Sequence, residues 1–154
     1  MATWDELTAL RPGVAVRYDG VEFVIERCTR FEEGGCVWFE HRLSSDGSGR
    51  SLWLEIPAVP EDSVIAYESS TALDVAPDGG PEIEHRGERM LLLMSGRAQY
   101  RTIERSAAAK TGELVYHEYA LGERRVTYEC RGDAAVWEVS EGRAIDGATI
   151  EILA

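Results

Sequence analysis

Cys36-Val37-Trp38-Phe39-Glu40-His41-Arg42-Leu43, then Ser44-Ser45-Asp46-Gly47-Ser48-Gly49-Arg50, then Ser51-Leu52-Trp53-Leu54-Glu55-Ile56: two short runs with a period of two flank a polar, glycine-bearing loop. Successive side chains on a strand face opposite sides. Val37, Phe39, His41 and Leu43 therefore share one side, and Trp38, Glu40 and Arg42 the other. In the second run Leu52, Leu54 and Ile56 oppose Trp53 and Glu55. This is the pattern of a hairpin with one strongly apolar face.

The same grammar extends in both directions. Thr3 and Glu6 have the spacing of a capping box and predict one short N-terminal helix, which Pro12-Gly13 prevents from continuing. Strands are expected at residues 14–18, 21–31, 36–43, 51–56 and 64–68. A second series is expected at 82–85, 89–94, 98–104, 114–121, 125–130, 134–139 and 149–153, with a helical turn at 106–110. Asp19-Gly20 and Gly34-Gly35 supply the positive φ that tight hairpins need. Strands do not alternate with helices as βαβ units require. The expected fold is all-β with one short N-terminal helix, an antiparallel sandwich or partly open barrel. The chain is read as one domain over 1–154, made of two similar β halves, 1–68 and 82–154, sharing a core and joined by a Ser/Asp/Gly/Pro-rich linker at 69–81.

Composition narrows the function classes. Sixteen basic residues against 28 acidic ones give a net charge of −12. Lys110 is the only lysine and the arginines are scattered, so the counterion-releasing stripe of a nucleic-acid binder is missing. Such a charge attracts a basic protein segment, a polyamine or a metal ion. The three cysteines, Cys28, Cys36 and Cys130, form no CxxC pair and indicate neither a disulfide framework nor a zinc site; reduced thiols and a cytoplasmic location are expected. The longest wholly apolar run, residues 90–94, is far below the ~20 residues of a membrane span. Sheet edges can pair between chains, and the sequence sets no oligomeric state.

The halves echo each other. Glu40-His41-Arg42-Leu43 precedes a loop and Trp53-Leu54-Glu55; Glu118-Tyr119-Ala120-Leu121 precedes a shorter loop and Thr127-Tyr128-Glu129. A duplicated β unit packing on its copy would produce this. Leu10-x-Pro12-Gly13, residues 21–25, Trp38-x-Glu40-x-x-Leu43 and Trp53-Leu54-Glu55 resemble the first half of the bacterial domain-of-unknown-function 4178 family. Tyr116-x-Glu118-Tyr119, Tyr128-Glu129 and Trp137-Glu138-Val139 resemble its second half. The resemblance implies no established activity. It implies genes placed near membrane-stress proteins and polyamine-synthesis enzymes, an association that specifies no mechanism.

No nucleophile elbow, P-loop or dinucleotide fingerprint occurs, and Gly47-Ser48-Gly49 lies between strands as a hairpin loop. His117-Glu118 begins like a zinc-protease helix, but Leu121 stands where a second histidine is needed. His41, His85 and His117 lie on separate expected strands, so no metal or other cofactor is assigned. What stands out is an aromatic followed two residues later by glutamate: Trp38 with Glu40, Trp53 with Glu55 and Tyr116 with Glu118, with Glu129 as the repeat partner of Glu55. Each aromatic shares a face with its acid. An outward face of this kind would hold an ammonium or guanidinium group by cation–π and Coulomb attraction. The leading expectation is a non-enzymatic binding or adaptor module whose acidic, aromatic β surface meets a basic protein or cationic small molecule. Its rivals are a barrel enclosing a small ligand, and an enzyme using Glu40 and Glu118 as a carboxylate pair with or without a metal.

Overall fold

The capping box forms as expected. The Thr3 hydroxyl accepts from the Glu6 amide at 3.2 Å, and Glu6 Oε1 accepts from the Thr3 amide at 3.1 Å, opening α1 (Trp4–Thr8). The computed structural model describes residues 1–105, 107–132 and 136–153. After α1 come β1 (Ala15–Tyr18), β2 (Val21–Glu33), β3 (Cys36–Ser44), β4 (Ser51–Ile56) and β5 (Val64–Leu73). Then follow β6 (Glu82–His85), β7 (Glu88–Glu104), β8 (Lys110–Leu121), β9 (Arg124–Arg131), β10 (Trp137–Ile145), a 3₁₀ turn (Gly147–Thr149) and β11 (Glu151–Ile152). No helix among the described residues is long and apolar enough to cross a membrane.

All strands among the described residues join one antiparallel sheet in the order β11-β1-β2-β3-β4-β5-β10-β9-β8-β7-β6. A further pairing, β2 with β7 from Arg27↔Glu104 to Glu32↔Gln99, closes eight strands into a ring, β2 through β5 and β10 back through β7. Of the two architectures expected, the barrel is the one found. The order is palindromic: β1–β5 run outward to the β5–β10 seam and β6–β10 return in reverse. Even the small hairpins match, since Asp19-Gly20 between β1 and β2 and Arg86-Gly87 between β6 and β7 all take positive φ, as a two-residue type I′ turn demands.

Several expected boundaries shift for physical reasons. Residues 89–94 and 98–104 are one strand, β7. Gly96 does not break it, because it pairs with Tyr116, and the Glu33 carboxylate occupies the space where a Cβ would stand. The extra residue is absorbed by a bulge between Leu92 and Met94. β5 runs on to Leu73, through the first residues of the expected linker, because β10 pairs with it as far as Trp137↔Leu73. Lys110 opens β8 rather than closing a helical turn; Ser106, like Ala134 and Ala135 of the strand expected at 134–139, lies outside the described residues. The last strand is only two residues long, because the 3₁₀ turn takes Thr149.

The apolar side chains form three clusters. Leu7, Ile25, Leu43, Leu52, Leu54 and Ile150 pack between α1 and the outer face of the first half. Met90, Tyr119 and Val126 pack on the outer face of the second, where the Tyr119 hydroxyl donates to the Gly80 carbonyl at 2.8 Å. The third cluster, Phe31, Ala98, Leu114 and Tyr116 with Trp38 and Tyr100, lies inside the ring.

The β5–β10 seam has no room for a larger side chain. A Cβ on Gly142, opposite the β5 bulge at Glu68, would lie 2.5 Å from the Ala66 carbonyl oxygen. Gly142→Ala is expected to destabilise the fold by about 1–3 kcal/mol, seen as a lower urea midpoint at unchanged m-value.

Candidate ligand-binding lumen

Register places every aromatic-x-Glu residue on one face. Glu40 is paired with Glu55 and Thr29, Trp53 with Tyr67, Tyr116 with Glu129, and Glu118 with Thr127. Paired residues on neighbouring strands share a side of the sheet. The contacts this face makes between strands that are not neighbours show which side it is. Arg131 of β9 reaches Glu40 of β3 at 2.9 Å, Tyr116 of β8 donates to Glu33 of β2 at 2.6 Å, and Trp38 meets Tyr116 edge-on at 5.9 Å. Such contacts span the interior of the ring. Trp38, Glu40, Trp53, Glu55, Tyr116, Glu118 and Glu129 therefore all line the lumen.

This corrects the outward orientation expected for that face. Parity grouped the residues properly, but ring closure turned the group inward. Tyr116 and Glu118 are buried, and Trp38, Glu40, Trp53, Glu55 and Glu129 are partly buried.

The lumen is layered. At one level Phe31 stacks on Trp38 at 5.5 Å and Tyr100 tilts against Phe31, while Gly112 leaves the space that the Tyr100 ring fills. Above them Arg131 lies 5.5 Å from the Phe31 ring and 5.7 Å from that of Tyr100, and bridges Glu40 at 2.9 Å and Glu129 at 3.4 Å. Beside it a cavity of about 400 Å³ is walled by Glu40, Glu129, Arg131, Trp53 and Tyr67, with Arg27, Arg42 and Glu138 also on its lining. Arg42 covers the Trp53 ring at 5.5 Å. From the cavity wall the Tyr67 hydroxyl meets Glu55 at 3.2 Å and Thr127 at 2.7 Å.

Acids outnumber their partners here. Glu40 and Glu55 stand directly opposite each other across β3 and β4, an arrangement that repels when both are ionised. Burial, then the charges of Glu118, Glu40 and Glu129, push the Glu55 carboxyl well above its ordinary range. Burial also raises Glu118, against the pull of Arg125. Burial followed by Glu40 lifts Glu129 to about 7, even with Arg131 opposing. Burial and then Glu55 push the Tyr67 hydroxyl up. Arg131 is the reverse case: burial disfavours its charge, but Glu40 and Glu129 more than compensate and its pKa is raised. Glu118 is only 8% exposed, and among the described residues no hydrogen bond or ion pair reaches its carboxylate.

Tyr67, Thr127 and Arg131 were not singled out in the sequence. Arg131 follows Glu129 by two residues and shares its face by parity alone. Tyr67 ends the apolar run Val64-Ile65-Ala66, where no alternation marks a polar role. The histidines do not meet: His41 Nε2 lies 2.8 Å from the Leu7 carbonyl, His85 pairs with Glu141, and His117 stacks on Trp137. Among the described residues no three His, Cys, Asp or Glu side chains are grouped to hold a metal ion.

The profile of the Domain of unknown function (DUF4178) family matches residues 11–147. This chain belongs to that family. The DUF4178 chain is also 26% identical over 146 residues to an uncharacterized protein of Mycobacterium bovis, covering 88% of this chain and 68% of the relative. Uncharacterized proteins from two strains of Mycobacterium tuberculosis match with the same identity and coverage. No solved structure matches it.

The raised carboxyls of this DUF4178 barrel tie its stability to pH. For Glu129 the folded pKa, about 7, lies above the ordinary 4.5. The folded state therefore binds the proton more tightly, and this contribution is present below 4.5 and lost as pH rises towards 7. Urea midpoints measured across that window should fall with pH, and Glu129→Gln should flatten the decline.

Proposed function

We propose that this chain is a binding module whose ring encloses a small organic cation, an amine or guanidinium compound, rather than an adaptor that uses an outer surface. One observation carries the reading: four acids, Glu40, Glu55, Glu118 and Glu129, crowd the interior of the ring, and the Arg131 guanidinium reaches two of them, Glu40 and Glu129. Carboxylates crowded in a largely buried site cost stability, and a cationic ligand would offset that cost. The cavity of about 400 Å³ suits a small ligand, falling within the roughly 300–1,000 Å³ typical of such sites. Arg42 on Trp53 and Arg131 on Phe31 and Tyr100 already use cation–π contact in this lumen, the interaction a guest cation would share.

The palindromic strand order supports descent from a duplicated five-strand unit. In that reading Glu118 and Glu129 are the second copies of Glu40 and Glu55, brought into the same interior by closure.

A second reading draws on Glu129. A carboxyl raised to about 7 is also what general acid–base chemistry uses near neutrality. Recovery of the bound cation unchanged after prolonged incubation separates binding from turnover.

The test is a calorimetric titration with putrescine, spermidine and arginine methyl ester. Saturable binding by at least one of these cations is expected. Glu129→Gln, on the cavity wall, should weaken that binding roughly tenfold, the scale of one lost charge-assisted contact. Absence of binding, or binding unchanged in Glu129→Gln, would discard the lumen as a cation site.

A further inference from the structure

The outer face over β2 carries a second cavity that the lumen does not use. Across β3, β2 and β7 the register sets His41, Cys28 and Ile103 in one row and Phe39, Arg30 and Arg101 in the next. Leu10 and Arg11, just after α1, wall the remaining side, and the enclosed volume is about 210 Å³. The Cys28 thiol, held at 3.5 Å against the Leu10 carbonyl, is pushed up to about 12 by burial and is no nucleophile.

One feature here has no explanation within the fold. Arg30 and Arg101 stand directly opposite each other, a like-charge pairing that destabilises a sheet. Yet acidic residues outnumber basic ones 28 to 16 in this chain. Arg30 reaches Glu32 on its own strand at 3.2 Å, while Arg101 makes no hydrogen bond or ion pair among the described residues. His41, wholly buried, also lines the cavity. Its Nε2 faces the Leu7 carbonyl and so carries the proton, which leaves Nδ1 an acceptor, and among the described residues that atom has no partner. Burial keeps the ring neutral, with its pKa near 4.

Apolar walls with Arg11, Arg30 and Arg101 on the lining describe a ligand with an anionic head and a short apolar body; the His41 Nδ1 acceptor, which a carboxylate cannot serve, takes no part. The geometry points to a binding site for a short-chain carboxylate, its head on Arg30 and Arg101 and its tail between Phe39, Ile103 and Leu10. A carboxylate matches the planar fork of guanidinium donors. The chain's overall negative charge opposes approach only weakly, since exposed charges are screened within ~8 Å at physiological ionic strength.

Titrating hexanoate into the ¹⁵N-labelled full chain tests this. Saturable amide shifts are expected at Leu10, Cys28, Phe39 and Ile103. Arg101→Gln and Arg30→Gln should each weaken binding roughly tenfold, with the urea midpoint unchanged or raised. Inorganic phosphate at equal concentration should not reproduce the shifts. Glu129→Gln should leave hexanoate binding intact, which separates this site from the lumen. The proposal fails if hexanoate gives no saturable shift, if phosphate acts equally well, or if both arginine variants bind hexanoate as the parent does.

Discussion

The pairing of β2 with β7 is the constraint on which the rest depends. Without it, this sheet would be a long twisted ribbon with two faces open to solvent or to a partner. With it, eight strands share one interior. The Thr29 and Thr102 hydroxyls bond each other at 2.9 Å within this pairing, and Phe31 meets Tyr100 one step further along. Closure also sorts the chemistry. Leucines and isoleucines that would otherwise pair face to face are sent outward, where α1 and β1 cover one half and residues near Gly80 cover the other. Glu40, Glu55, Glu118 and Glu129 are sent inward.

An interior rich in acids is costly, and the chain shows how the cost is spread. Arg131 neutralises Glu40 and Glu129 while resting on two aromatic rings, so one guanidinium serves as counter-ion and as packing. Tyr67 donates to Glu55. Burial raises the remaining carboxyls and keeps them partly protonated. A core selected only for stability would replace such a group by apolar residues of similar volume. Its retention, in a lumen with open volume beside it, is the physical argument for a guest that carries positive charge. Stability given up at a site is a common mark of function.

Much of this was legible beforehand. The strand at 51–56 and that at 82–85 were read to the residue, because hairpin loops and β-branched or aromatic alternation mark both ends. Pleat parity sets each aromatic on one face with its own acid, and the strand register then puts all seven candidates on one side of the sheet. Parity is a local property, however, and inside versus outside is decided by a contact between residues about 70 positions apart, Thr29 with Thr102. No local pattern encodes that. Tyr67 and Arg131 were missed for the same reason: each acquires its role only when β5 and β9 are brought across the ring from β3. The boundary errors at residues 94–98 and 69–73 arose where glycine and serine, read as breaks, are tolerated because a partner strand supplies the hydrogen bonds.

Closure can be measured without any ligand. Nuclear Overhauser contacts between the backbones of β2 and β7, across Thr29/Thr102 and Phe31/Tyr100, report it directly. Ring closure predicts these contacts together with a Trp38-to-Tyr116 side-chain contact across the lumen. If β2 and β7 show none, and both rings contact only neighbours on their own half, the ring is open and the acidic row faces solvent.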